Sequence, residues 1–133
     1  MISQKVLDIA NNNKFNNLKN VYTHKAEMKN NICGDKIKIE LVVKKNRINS
    51  LHYETESCLF CQASASLLSR KIRLFSIDKF NYDLSSFKEV LRNKNMKLPI
   101  KLKDFKDLIN YSNSKRINCI MLPFVALKKA LKL

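Results

Sequence analysis

The sequence predicts an α+β fold in which a three-stranded antiparallel sheet packs against about five helices. Two patterns support this prediction. Residues 37–43 alternate apolar and polar side chains, which is typical of a strand with one buried face. From residue 59 onward the apolar residues recur at helical spacing instead. No internal repeat, long linker or low-complexity tail interrupts the 133 residues, so we expect one domain over 1–133.

The chain starts with a predicted helix. Ile2, Val6 and Ile9 have helical spacing, and the asparagine-rich segment 11–17 ends the helix in a polar loop. Residues 21–28 follow as a strand of moderate quality.

The next two strands form a predicted hairpin. The middle strand buries Ile37, Ile39, Leu41 and Val43. Lys45-Asn46-Arg47 is a short polar turn, and residues 48–55 return antiparallel to the middle strand. The three strands therefore form a meander.

The second half of the sequence predicts helices. Residues 59–75 have a core face of Leu67, Leu68, Ile72 and Phe75. Ser86-x-x-Glu89 matches a capping box and predicts that a helix begins there. A further helix follows Pro99 and buries Leu102, Phe105, Leu108 and Ile109.

The last helix is expected to begin at Cys119 and to run to the end of the chain. Pro123 fits this helix in its first turn, where the missing N–H group is not needed.

Composition limits the function classes. No window approaches the roughly 20 apolar residues of a membrane span, and residues 1–5 do not resemble a secretory signal. We therefore expect a cytoplasmic protein whose four cysteines are reduced and serve metal binding or catalysis rather than disulfides.

The net charge of +15, from 26 Lys+Arg against 11 Asp+Glu, has two interpretations. It favours a polyanionic partner, or it reflects the lysine- and asparagine-rich composition of AT-rich codons. The lysines are spread along the chain, and no arginine stripe with interleaved aromatics occurs. Nucleic-acid binding is therefore only a remote alternative.

Three cysteines occupy similar positions in the predicted elements. Cys33 precedes a strand, Cys58 immediately precedes a helix and Cys119 begins another helix. Asp35 follows Cys33 across Gly34, the only glycine of the sequence. Three thiolates and one carboxylate suit tetrahedral Zn²⁺ or one end of an iron–sulfur cluster. Spacing alone leaves a metal site and separate thiols about equally compatible with the sequence.

The surroundings of these cysteines resemble the U-type iron–sulfur assembly family, which includes IscU, SufU and the N-terminal domain of NifU. The similar segments are Cys33-Gly34-Asp35, Ser57-Cys58 with Ala63-Ser64-Ala65-Ser66, and Arg116-Ile117-Asn118-Cys119 with Leu122-Pro123-Phe124. The resemblance implies that Cys33, Asp35, Cys58 and Cys119 are the ligands. It also implies an α+β fold with a three-stranded sheet, in agreement with the patterns above.

Several positions depart from the family. Asn118 stands where IscU-like members have histidine, and the interval between Cys58 and Cys119 is long, as in SufU-like members. Asn31 and Ser57 replace the usual proline and glycine before the first two cysteines. Asn118 and the long interval place the chain nearest the SufU-like branch, whereas Asn31 and Ser57 are departures from the family as a whole.

The resemblance implies two mechanisms. In the first, which we favour, a cysteine desulfurase supplies persulfide sulfur, a [2Fe–2S] cluster forms on the four residues, and weak ligation by Asp35 lets the cluster pass to apo acceptor proteins. In the second, the same site holds Zn²⁺ and the protein is a sulfurtransferase. Cys33, beside the flexible Gly34, is the favoured persulfide acceptor, and Cys119 is its rival.

The remaining candidates have structural interpretations. Cys61 forms a Cys-x-x-Cys pair with Cys58, but we expect it to pack in the core, with an accessory sulfur site as the alternative. His24 and His52 are expected on strands as sheet-face residues. Arg116 either steadies anionic sulfur near Cys119 or lies toward solvent.

Overall fold

The structure is a computed structural model that describes residues 3–12, 14–31, 34–111, 113 and 115–133. In this part of the chain three strands form one antiparallel sheet in the order β1-β2-β3. They are β1 (His24–Lys29), β2 (Lys36–Lys44) and β3 (Arg47–Glu56). The predicted meander is therefore confirmed.

The hairpin turn is shorter than the sequence suggested. Lys45 and Asn46 both have positive φ angles, of 49° and 65°, as a two-residue type I′ turn requires. Arg47 already pairs with Lys44 and belongs to β3. At the other edge, β1 begins at His24 rather than Val21, whose side chain is 68% exposed.

The sheet has one apolar and one charged face. Ile37, Ile39 and Leu41 of β2 are buried against the helices, as the alternation predicted. Lys36 and Lys38 point to the opposite face. This burial fixes the register of β2 and hence the position of Asp35, which immediately precedes it.

The described residues contain five α-helices. They are α1 (Gln4–Asn11), α2 (Leu59–Lys71), α3 (Ile77–Arg92), α4 (Lys106–Ile109) and α5 (Arg116–Leu131). Two 3₁₀ helices, Ile72–Leu74 and Ile100–Phe105, follow α2 and precede α4. The predicted α+β class is confirmed. Ile2, which was predicted to belong to the first helix, lies outside the described part. Within that part, no helix combines the length and apolar character that crossing a bilayer requires.

The capping-box prediction at Ser86 is wrong. The helix α3 begins at Ile77, so Ser86 lies in its interior. Apolar residues continue upstream at helical spacing, and Phe80 is completely buried. Burial of this ring outweighs the local preference of serine for a helix start.

The predicted start of the last helix is also wrong. Helix α5 begins at Arg116, which places Cys119 in its first turn and Pro123 in its interior. Because proline has no N–H group, it cannot donate to the carbonyl of Cys119. Next to this interruption, the hydroxyl of Ser64 on α2 donates to the carbonyl oxygen of Ile120 at 2.6 Å.

A cluster of five phenylalanine rings joins the helices. Neighbouring ring centroids lie 4.6–6.4 Å apart. The rings belong to Phe75, Phe80, Phe87, Phe105 and Phe124. Each such pair contributes about 0.5–1.5 kcal/mol beyond the area it buries. The cluster fixes α5, which also packs against β1, β2 and α2.

Candidate metal centre

Asp35 is positioned by the loop that connects β1 to β2. The amide of Asn30 donates to the carbonyl of Asp35 at 2.8 Å, and that of Gly34 donates to the carbonyl of Asn30 at 2.7 Å. Gly34 has a φ of +78°, in the region that glycine enters without strain. No described atom lies within 4 Å of where a Cβ would stand, so the residue is needed for its backbone angle and not for close approach. The loop leaves Asp35 buried, with 5% of its surface exposed.

Cys58 is the N-cap residue of α2, directly after β3, and is partly exposed. Its extended backbone turns its N–H group toward the β1–β2 loop, where it donates to Oδ1 of Asp35 at 3.1 Å. Cys58 is therefore held at the start of a helix, next to the loop that carries Asp35.

Cys119 lies in the first turn of α5 and is 8% exposed. Its Sγ lies 3.9 Å from the carbonyl oxygen of Lys115. The bond from Ser64 to Ile120 attaches this turn to α2, the helix that begins at Cys58.

The structure brings three of the four predicted ligands together. One ligand atom from each of Asp35, Cys58 and Cys119 lies within 4.8 Å of the other two. The fourth, Cys33, lies outside the described residues. The three elements that carry the group are far apart in sequence, so the fold itself creates the cluster.

The donor set fits a metal ion. Oδ2 of Asp35 is buried and has no hydrogen-bond partner among the described residues. A buried carboxylate oxygen without a partner costs free energy, and a bound cation removes that cost. Two sulfurs and one carboxylate oxygen are ligands that Zn²⁺ and iron accept.

Arg116, the first residue of α5, lies over two aromatic rings that the sequence did not single out. Its guanidinium carbon lies 4.4 Å from the ring centroid of Phe60 and 5.9 Å from that of Tyr111. The hydroxyl of Tyr111 accepts a hydrogen bond from the amide of Ser3 at 2.7 Å, which links this corner to the start of α1. Phe60 follows Cys58 by two residues, but no periodic pattern marks it as a partner of α5.

Cys61 lies one turn beyond Cys58 and is completely buried, as expected for a core thiol. Burial raises its pKa to about 12, a hydrogen bond from Ser57 acts in the opposite direction, and the negative charge of Asp35 and Cys58 raises the pKa further. Cys61 therefore lies close to the group formed by Asp35, Cys58 and Cys119 without belonging to it.

The two histidines lie on the sheet. His24 is on β1 and His52 is on β3, where it pairs with Glu40 of β2. The ring of His52 packs edge-on against Phe15 with centroids 5.6 Å apart. Partial burial, and then the charge of Lys19, lower the pKa of His52.

Comparison with known proteins identifies the family. Residues 1–82 match the NifU-like N terminal domain. The chain belongs to this family.

Two named proteins are similar to this chain in sequence over most of its length. The Iron-sulfur cluster assembly scaffold protein IscU of Thermotoga maritima is 32% identical over 135 residues, which cover 99% of this chain and 93% of the relative. The Zinc-dependent sulfurtransferase SufU of Bacillus subtilis is 28% identical over 105 residues, which cover 78% of this chain and 71% of the relative.

Two solved structures share the fold of this NifU-like domain. The N-terminal part of a NifU-like protein from Brucella abortus superposes with a TM-score of 0.80 at 18% identity and covers 98% of this chain and 91% of its own. A putative iron-sulfur cluster assembly scaffold protein for the SUF system from Fervidobacterium islandicum has a TM-score of 0.79 at 23% identity. The match covers 97% of this chain and 95% of the other chain. This chain is thus a member of the iron–sulfur cluster assembly scaffold family, and the resemblance seen in the sequence is confirmed.

Proposed function

We propose that this NifU-like chain, folded as one domain, assembles a [2Fe–2S] cluster on Cys33, Asp35, Cys58 and Cys119 and passes it to apo acceptor proteins. The observation that carries the proposal is the convergence of Asp35, Cys58 and Cys119, whose ligand atoms lie within 4.8 Å of one another. The relative named as a cluster assembly scaffold, 32% identical over nearly the whole chain, supports the same function.

The four residues have different roles in this proposal. The thiolates of the three cysteines bind iron strongly, because iron–sulfur clusters are held by cysteine sulfur. Asp35 is the harder and weaker ligand, so the cluster can be released at its side. The hydrogen bond from the Cys58 amide occupies Oδ1 of Asp35 and leaves Oδ2 to face the cluster.

The sulfur in this proposal comes from a cysteine desulfurase as a persulfide. Cys33 is the favoured first acceptor because Gly34 beside it has no Cβ, which leaves the backbone there free to reorient. Cys119 remains the rival acceptor, with its Sγ beside that of Cys58.

A second candidate function is zinc-dependent sulfur transfer at the same site. Asn118, which is exposed at the start of α5, replaces the histidine of IscU-like members. The interval between Cys58 and Cys119, which includes α3, is long, another feature of the SufU-like branch. In this function Zn²⁺ holds the thiolates and a cysteine accepts persulfide sulfur without cluster formation.

Elemental analysis separates the two functions. The protein is purified without added metal, analysed for zinc and iron, and then reconstituted anaerobically with iron and inorganic sulfide. A scaffold acquires the visible absorption of a [2Fe–2S] cluster and transfers it to an apo-ferredoxin. Stoichiometric zinc that resists replacement, with no cluster formation, favours sulfur transfer and contradicts the scaffold proposal.

A pair of cysteine variants tests the ligand assignment. Cys119→Ser removes a proposed ligand, whereas Cys61→Ser removes an equally buried thiol that lies outside the group. We expect Cys119→Ser to lose most of the reconstituted cluster and Cys61→Ser to retain it. Equal retention by both variants would contradict the assignment.

A further inference from the structure

Cys58 and Cys61 form a pair of thiols across the first turn of α2. The amide of Gln62 donates to the carbonyl of Cys58 at 3.0 Å, so Cys58 closes the first turn of the helix as its N-cap. Helix geometry then places the Cα atoms of Cys58 and Cys61 about 5 Å apart, within the range found for disulfides. The extended backbone of Cys58, with ψ of 166°, is available to adjust the direction of its side chain.

The two thiols face different environments. Cys58 is partly exposed and its Sγ belongs to the group with Asp35 and Cys119, whereas Cys61 is completely buried behind it. The hydroxyl of Thr55 donates to that of Ser57 at 2.7 Å in the segment that leads into α2. Cys61 is therefore shielded from solvent, and Cys58 is the more accessible of the two thiols.

Asp35 lies next to the Cys58 end of this pair. Its carboxylate is 5% exposed, and Oδ2 lacks a hydrogen-bond partner among the described residues. Oδ1 of the same side chain accepts a hydrogen bond from the Cys58 amide, and one of its oxygens lies within 4.8 Å of the Cys58 sulfur. A buried carboxylate therefore stands beside the thiol at which the proposed chemistry begins.

We propose that Cys58 and Cys61 act as a dithiol that reduces a persulfide delivered to the site and releases its sulfur as sulfide. This inference rests on the proposed function, because it requires that the site receives persulfide sulfur. It adds a source for the two electrons that convert persulfide sulfur into the sulfide of a cluster.

The first step is a transfer between neighbouring sulfurs. The Cys58 thiolate attacks the outer sulfur of a persulfide on Cys33 or Cys119. The bond between the outer sulfur and the acceptor breaks, and the acceptor cysteine leaves as a thiolate. The Cys119 sulfur lies within 4.8 Å of that of Cys58, a distance that small side-chain movements close. Cys58 now carries the persulfide.

The second step releases sulfide. The Cys61 sulfur attacks Sγ of Cys58, a Cys58–Cys61 disulfide forms, and the bond to the outer sulfur breaks. The outer sulfur leaves with the bonding electrons and the Cys61 proton as HS⁻. The two thiols lose two electrons in total, and the sulfane sulfur gains them. A dithiol reductant restores the pair before the next turnover.

The test uses metal-free protein treated with sodium polysulfide and then freed of small molecules by gel filtration. Intact-mass spectrometry follows the added sulfur, a sulfide electrode follows release, and peptide mapping locates any disulfide. Cys61→Ser removes the second thiol and keeps a hydrogen-bonding side chain beside Ser57. Ser66→Ala, at another buried position of α2, keeps both thiols and is the matched control.

We expect the wild-type protein and Ser66→Ala to lose the added sulfur as sulfide and to gain a Cys58–Cys61 disulfide. Cys61→Ser should keep the added 32 Da and release sulfide at least tenfold more slowly. The inference is overturned if Cys61→Ser releases sulfide as fast as the wild-type protein, or if the disulfide forms between other cysteines. In either case the proposal that the site accepts sulfur remains supported. If no variant takes up sulfur or forms a disulfide, sulfur acceptance itself fails, and the inference fails with it.

Discussion

The backbone amide of Cys58 donates a hydrogen bond to Oδ1 of Asp35 at 3.1 Å, across 23 residues of sequence. This bond attaches the β1–β2 loop to the start of α2 and sets the distance between two proposed ligands. It also orients the carboxylate, so that the second oxygen is the one left without a described partner. The apo fold therefore prearranges part of the site before any ion binds.

Replacing Asp35 by asparagine should weaken metal binding without unfolding the protein. The amide oxygen of Asn still accepts from the Cys58 amide, but it is neutral and a poorer ligand than a carboxylate. We expect the Kd for Zn²⁺, measured by competition with a chromophoric chelator, to rise at least tenfold. The free energy of unfolding of the metal-free protein, measured in urea, should change by no more than about 2 kcal/mol.

Asp83 provides the matched control for Asp35→Asn. It is also a buried aspartate, but it lies on α3, where its carboxylate pairs with Lys101 at 2.9 Å and does not belong to the group with Cys58 and Cys119. Asp83→Asn removes the charge of a partly buried ion pair and should destabilise the fold by about 1–3 kcal/mol while leaving zinc affinity unchanged. Similar zinc affinities for both variants would show that Asp35 is not a ligand.

Local sequence patterns predicted the elements better than their ends. The alternation of Ile37, Ile39 and Leu41 placed β2, because strand burial has a period of two that neighbours along the chain reveal. The three described ligands lie on or next to elements that are far apart in the sequence. The family resemblance implied that they converge, and the structure shows that they do. Spacing alone did not distinguish a metal site from separate thiols.

The errors have a common physical cause. Pro123 and Ser86 are local signals for helix starts, yet both lie inside helices. Burial of Phe80 extends α3 upstream, and the bond from Ser64 to Ile120 supports α5 where proline interrupts it. These compensations come from residues distant in sequence, which single-sequence patterns do not report.

Gly34→Ala should destabilise the protein through its backbone angle alone. A φ of +78° is strained for alanine and costs about 1–2 kcal/mol, whereas no described atom obstructs the added methyl group. Urea unfolding of the metal-free protein measures this loss. Gly34→Asn is the control, because asparagine tolerates positive φ, and it should lose less stability than Gly34→Ala. A larger loss for asparagine would point to a steric rather than a conformational constraint.

Ser64→Ala should disturb both stability and the position of Cys119. The variant removes the 2.6 Å bond from the hydroxyl to the buried carbonyl of Ile120, at a cost of about 1 kcal/mol. Because this bond attaches the first half of α5 to α2, we expect zinc affinity to fall as well. In Ser69→Ala the lost hydroxyl bonds only to Ser66 within α2. That variant should lose stability at unchanged zinc affinity, and equal zinc affinity in both variants would contradict a positioning role for Ser64.

Alkaline pH should destabilise the metal-free protein through Cys61. Burial raises the pKa of this thiol to about 12, whereas an exposed cysteine in the unfolded chain has a pKa of about 8.5. Between these two values the unfolded chain releases a proton that the folded protein keeps, so stability falls as pH rises. The stability that the Cys61 thiol contributes is fully present below the pKa of this cysteine in the unfolded chain. Above that pKa it falls by up to about 1.4 kcal/mol per pH unit.

The comparison of wild-type protein with Cys61→Ala isolates this contribution from the other titrating groups. Urea unfolding at pH 8 and pH 10, under a reducing agent, gives the free energy of unfolding of each protein. Alanine is less stable at pH 8 because it leaves a small cavity, but the difference from wild type should shrink by about 2 kcal/mol at pH 10. A difference that is independent of pH would mean that the Cys61 thiolate is accommodated in the fold, and that the residue is not enclosed as its complete burial indicates.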